Sequence, residues 1–157
     1  MLHVLTRDFG TLAYEPPAEL YFPRGLPGFE DQNRFVLMER EQQAPIVFLQ
    51  SLTTPALCFL AVSVWAIDPE YQVGIVADDL DTVGLDHQPQ PADGFLCLAI
   101  LAAKDGEPFT ANLLAPVIVN RQTGVSLQAI RADARYSHCH PVITAGTSPD
   151  AEDTPCL

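Results

Sequence analysis

The residue types in this chain that could do chemistry are few and loosely grouped. His138, Cys139 and His140 form the densest set. A cysteine beside a histidine can act as an activated nucleophile, but here no defined third group orients the imidazole. The same residue types could hold zinc. Zinc takes about four ligands, and the remaining histidines, His3 and His87, stand isolated. Consecutive residues also point to opposite faces of a strand. A second set, Asp78-Asp79-x-Asp81, begins like a calcium loop but lacks the further ligands and the closing bidentate Glu. Asp8-Phe9-Gly10 matches a magnesium-binding element of kinases. It stands alone in a chain of 157 residues, too short for a kinase, and reads as a turn. There is no glycine-rich phosphate loop and no G-x-S-x-G elbow. The expectation is a protein without catalytic residues, metal or cofactor.

Charge narrows the class further. Eight Lys and Arg against twenty Asp and Glu give a net charge of −12. Nucleic-acid affinity rests on cationic side chains that release phosphate counterions, so direct RNA or DNA binding is disfavoured. An acidic surface is suited to steering a basic protein partner. Seven acids, Asp68, Glu70, Asp78, Asp79, Asp81, Asp86 and Asp93, fall in one segment without a Lys or Arg. That segment reads either as a solvated face or as an electrostatic contact. Met1 is followed by alternating polar and apolar residues and not by a long apolar region. The longest apolar run, Phe95 to Ala103, falls short of the roughly 18 residues a membrane span needs. Cys58 and Cys97 lie within apolar runs and read as small core residues, and none of the four cysteines is closely paired. A reduced, cytoplasmic setting is expected.

The elements that would position these residues are mostly strands. Leu2 to Thr6 and Thr11 to Glu15 flank a turn and read as a hairpin. Glu19 to Pro23, Arg34 to Met38, Ile46 to Ser51 and Leu57 to Trp65 read as further strands. Tyr71 to Ala77 alternates, with Tyr71, Val73, Ile75 and Ala77 on one face. Phe95 to Ala103 is apolar on both faces, as an innermost strand is. Val117 to Val119 and Val125 to Ile130 form a late pair around the turn Asn120 to Gly124. One short helix is expected over Asp78 to Val83, with Asp78 as N-cap and Gly84 as stop. Fourteen prolines and nine glycines disfavour long helices. The reading is an all-β (mainly β) fold: a small β-barrel-like domain of about ten short strands over residues 1–143. A disordered acidic tail over 144–157 follows.

Two stretches are more particular than the rest. In Phe22-Pro23-Arg24-Gly25-Leu26-Pro27-Gly28-Phe29-Glu30, the glycines permit positive φ and the prolines fix φ. That makes a rigid corner presenting Leu26 and Phe29, or a structural plug. In Thr110-Ala111-Asn112-Leu113-Leu114-Ala115-Pro116-Val117-Ile118-Val119-Asn120, two Asn bracket an apolar run. Asn112 can bond nearby backbone and hold an irregular segment in shape, while Pro116 marks an edge or bulge.

These stretches, together with Leu49-Gln50-Ser51, Pro69-Glu70-Tyr71 and Tyr136-Ser137-x-x-His140-Pro141, occur in an order and spacing that resembles the FliW family of flagellar assembly factors. The resemblance covers roughly Leu2 to Val142. His138 and Cys139 depart from the family pattern, where an aliphatic and a basic residue are expected, and the acidic tail has no counterpart. The resemblance implies a small β-barrel-like fold, no enzyme activity and a cytoplasmic switch protein. It implies two partners: the carbon storage regulator, a small basic RNA-binding translational repressor, and flagellin, each bound in turn. The residues expected at such contacts are Leu26, Phe29, Asn112 and Leu114, with Glu70, Asp78 and Asp79 contributing charge. Two alternatives stand beside this: a flagellin chaperone that does not antagonise the regulator, and a small barrel enzyme or ligand binder using Cys139 and His140.

Overall fold

The structure is a computed structural model that describes residues 2–7, 9–15, 18–90, 93, 95–103, 106–131 and 133–142. The expected tail over 144–157, Asp8 and Cys156 lie outside the described residues. Strands β1 (Leu2–Thr6) and β2 (Gly10–Tyr14) form a two-stranded antiparallel hairpin. Thr6 closes its turn, its hydroxyl donating to Gly10 O at 2.8 Å and accepting the Phe9 N–H at 2.9 Å.

The main sheet is built from β3 (Glu19–Tyr21), β4 (Arg34–Glu39), β5 (Val47–Ser51), β6 (Cys58–Ser63), β7 (Leu96–Ala102), β9 (Val117–Val119) and β10 (Ser126–Gln128). Its order is β10-β9-β7-β6-β5-β4-β3, every pair antiparallel. Two short strands, β8 (Thr110–Ala111) and β11 (His140–Pro141), extend it: β8 pairs with β7 and β11 with β8. The mainly β expectation holds. The sheet is not a closed barrel: among the described residues its margins meet only at one parallel bridge, Tyr21 to Val125, where the Tyr21 N–H reaches Gly124 O at 2.9 Å.

Burial follows from this topology. Period-2 alternation sends Ala61, Leu98, Val117 and Val119 into one core with Phe22 and Phe35. It sends Val62, Cys97, Ala99 and Ile118 into a second core with Tyr71 and Leu113. β7 is therefore apolar on both faces, as the Phe95 to Ala103 pattern predicts, and β9 shares that burial. Fully burying a Leu or Val side chain stabilises by about 1.5–3 kcal/mol, so these strands anchor the domain. Cys97 is buried and Cys58 is half-buried, so only Cys97 is the small core residue expected.

Three local expectations are corrected. The apolar run Leu57 to Trp65 does not continue as a strand to its end. It stops at Ser63, whose hydroxyl accepts the Trp65 N–H at 3.3 Å and caps the one-turn helix α1 (Val64–Ile67). Tyr71 to Ala77 keeps its alternating burial at Tyr71, Val73 and Ile75 but forms no strand. Its backbone meets the 131 region at a single bridge, Ile75 to Arg131, and the Gln88 side chain bonds both the N–H and the carbonyl of Ile75 at 2.9 and 2.8 Å. Helix α2 (Ala77–Val83) starts one residue before the expected position, with Val76 as N-cap, so Asp78 lies inside its first turn. Gly84 ends it at φ 75°, as expected for a left-handed C-cap.

Candidate functional site

The Pro–Gly corner folds back on itself. Leu26 and Phe29 form an antiparallel bridge, with the Phe29 N–H on Leu26 O at 2.6 Å. Gly25 makes this possible: at φ +62°, a Cβ there would lie 2.6 Å from Phe29 O. The corner separates the two apolar residues expected at a contact. Leu26 is 2% exposed and belongs to the core, so it offers no surface. Phe29 is 38% exposed and packs edge-on to Phe59 at 5.4 Å between centroids. Arg24 then ties the corner to α2, its guanidinium bonding Asp79 Oδ1 at 2.8 Å and Thr82 Oγ1 at 3.0 Å. Asp79 is thus buried and neutralised by Arg24, whereas Asp78 in the same turn stays exposed. The two acids expected to act alike do not share an environment.

The Thr110 to Asn120 stretch behaves as one strand broken in the middle. β8 and β9 both pair with β7, and residues 112–116 bulge away between them. Asn112 holds the bulge: its Oδ1 accepts the N–H groups of Leu114 and Ala115 at 3.1 and 3.0 Å. This is the local backbone bonding expected of it. Leu114 is left half-buried, while Leu113 is fully buried. Asn120 has another task. Its Nδ2 donates to Val83 O at 2.8 Å and so satisfies a carbonyl at the C-terminal end of α2.

The remaining motifs converge on Arg131, a residue the sequence reading missed. The Arg131 side chain is 1% exposed. Its fork bonds both carboxylate oxygens of Asp133, at 3.1 and 3.3 Å, and its Nη1 donates to Gln72 O. Its Cζ lies 4.6 Å from the Tyr136 ring centroid and 5.3 Å from that of Tyr71, and these two rings are 4.3 Å apart. The Tyr71 hydroxyl donates to Leu113 O at 2.6 Å, the Gln72 N–H reaches Tyr136 Oη at 3.1 Å, and the Leu113 N–H reaches Ser137 O at 3.0 Å. Pro69-Glu70-Tyr71, the 112–116 bulge and the Tyr136 motif are therefore one bonded unit. Burial opposes the Arg131 charge, but its hydrogen bonds to Asp133 and Tyr71 outweigh that and hold its pKa above the ordinary value. The Asp133 carboxyl is correspondingly lowered by that bond. Burial pushes the Tyr71 phenol up to about 12. Gly74 is needed here because a Cβ would come within 2.9 Å of the guanidinium. A signal did exist in the sequence: Leu127, Ala129 and Arg131 share one face of an alternating run, which places the arginine inward.

Glu70 lies on the outside of this unit, exposed, its N–H bonded to Asp68 Oδ1 at 2.9 Å. The seven expected contact residues are thus split. Phe29 and Asp78 are exposed near the corner and α2, Glu70 and Leu114 sit around the Arg131 unit, and Asn112 shapes the bulge. Leu26 and Asp79 are interior.

In the His138 to His140 set, the Cys139 N–H reaches Ser137 Oγ at 3.1 Å and Cys139 Sγ lies 3.5 Å from the same hydroxyl. His138 is exposed and Cys139 half-buried on a turn, and His140 is on β11 opposite Ala111. Among the described residues no group of three or more His, Cys, Asp or Glu could hold a metal ion. His140 does border a hollow of about 550 Å³, lined mainly by apolar groups such as Ile46, Val62, Leu101 and Phe109. His87 is bracketed instead by carboxylates, Asp86 at 2.5 Å and Asp93 at 3.0 Å, whose hydrogen bonds raise its pKa. No helix among the described residues is long and apolar enough to cross a membrane.

Comparison with known proteins bears directly on this arrangement. A family model described as FliW protein matches residues 3–142. The chain is 31% identical over 150 residues to a flagellar assembly factor FliW of Heliobacterium modesticaldum, covering 96% of each. It is 32% identical over 142 residues to the Treponema pallidum factor, covering 90% of this chain and 92% of the other. A crystal structure of the flagellar assembly factor FliW superposes with a TM-score of 0.77 at 25% identity, covering 92% of this chain and 99% of that one.

Proposed function

The chain belongs to the FliW family of flagellar assembly factors, and on that premise we propose that it is a cytoplasmic partner-switching protein. It binds flagellin and, in turn, the carbon storage regulator, a small basic RNA-binding repressor, and so couples flagellin translation to filament assembly. It acts by binding and not by catalysis. The observation that supports this reading most is the charge of −12 combined with exposed acids at Glu70 and Asp78, neither of which has an ion pair among the described residues. A basic RNA-binding protein meets such a surface faster, by roughly 10- to 1,000-fold at low salt. Apolar anchors such as Phe29 then set the residence time.

The test is an affinity pull-down from the native cell using the full chain as bait. The reading predicts that flagellin and the carbon storage regulator are both recovered, in complexes that exclude each other. Recovery of flagellin alone supports a chaperone without regulator antagonism. Recovery of neither removes the proposal.

A further inference from the structure

Val76 and Ile130 are large aliphatic residues left in solvent, 41% and 65% exposed. Neither belongs to a motif described above. The antiparallel bridge Ile75 to Arg131 sets Val76 opposite Ile130. Because Ile75 and Arg131 point inward, 4% and 6% exposed, their neighbours must point out together. The backbone beneath the pair is held from three sides. Gln88 bonds both polar groups of Ile75, the Arg131 N–H reaches Leu114 O at 3.2 Å, and the Arg131 side chain is fixed by Asp133 and Gln72. A preorganised apolar pair loses little freedom on binding, the property of an anchor site.

The surroundings select the partner. Two residues from Val76, α2 exposes Asp78, and further along it Asp81. Arg24 is engaged with Asp79, and no ion pair to Asp78 or Asp81 is present among the described residues. The nearby Arg135 bonds Gln72 Oε1 at 2.6 Å. We propose that Val76 and Ile130 form an aliphatic anchor site, flanked by Asp78 and Asp81, for a basic protein segment that presents its own apolar side chain. This rests on the proposed reading, in which the basic partner is the RNA-binding repressor, and it assigns that contact to residues outside the family motifs.

The experiment measures association and dissociation of the carbon storage regulator from the same genome, with full-length wild-type chain and with Val76→Ser/Ile130→Ser. Ile130→Lys serves as a second variant, and melting curves confirm that both are folded. The expected result is a dissociation rate at least tenfold faster for the Ser pair, with an unchanged salt slope. Ile130→Lys should in addition slow association. If wild type binds and both variants match it, the anchor site is wrong while the partner reading stands. If wild type does not bind the regulator at all, both are overturned.

Discussion

Replacing Gly25 and Gly28 separately by alanine tests whether the Phe22 to Glu30 corner holds its shape by close backbone contact. Both glycines have positive φ, +62° and +85°. An alanine at either therefore costs about 1–2 kcal/mol for the left-handed conformation. There the likeness ends. A Cβ at Gly28 meets nothing within 4 Å, whereas one at Gly25 meets Phe29 O at 2.6 Å and Glu30 Cα at 2.7 Å. Those atoms are backbone and cannot swing away, so the overlap adds about 1–3 kcal/mol for Gly25→Ala. At about 2–4 °C per kcal/mol for a domain of this size, G25A melts roughly 2–12 °C below G28A. Urea unfolding of both variants checks this, with the midpoint moving and the slope constant. Equal melting of the two would refute the close-contact argument. A large loss in both would place the cause in φ alone.

Tyr71→Phe removes the bond to Leu113 O and leaves a buried carbonyl unsatisfied, so a loss of about 1–3 kcal/mol is expected by chemical denaturation. The phenol of Tyr71 and the thiol of Cys97 are both raised by burial, each to about 12. Their unfolded values are about 10 and 8.5. The stability they contribute is complete below those values and lost as pH rises towards 12, so the melting temperature should fall in that alkaline window. Cys97 should resist thiol reagents until the protein unfolds. Asp78→Lys should slow association with the regulator and flatten its salt dependence, at a stability cost of only about 1 kcal/mol from placing a cation in the first turn of α2. Asp79→Lys should lower the melting temperature further, because it also breaks the Arg24 pair. Identical melting of these two variants would contradict their different environments.

The strands were legible because alternation and turn residues agree. β7 read as doubly buried and is so, and Gly84 marks the end of α2 as expected. Leu57 to Trp65 misled because an apolar run has no period of its own. The break is made by Ser63, and a hydroxyl cap is hard to recognise inside such a run. Tyr71 to Ala77 misled for the opposite reason: its alternation is real, but the Gln88 side chain takes the Ile75 backbone bonds that a neighbouring strand would otherwise take. For the candidate site, Asn112 and Phe29 were legible from local chemistry. Leu26 was not, since a corner that presents one apolar residue can bury the other. Asp79 differs from Asp78 only through Arg24, a contact between residues 55 apart in the chain, which no local pattern reveals. Arg131 draws its role from three distant segments, although its place on the Leu127–Ala129 face hinted that it pointed inward.

The central claim is exclusive binding of two partners, and a competition titration tests it most directly. Purified chain is saturated with the carbon storage regulator, flagellin is added stepwise, and complex masses are followed by size exclusion with light scattering. The account predicts that the regulator is released as a flagellin complex forms, with no species containing all three. A stable ternary complex, or no displacement at saturating flagellin, would contradict it.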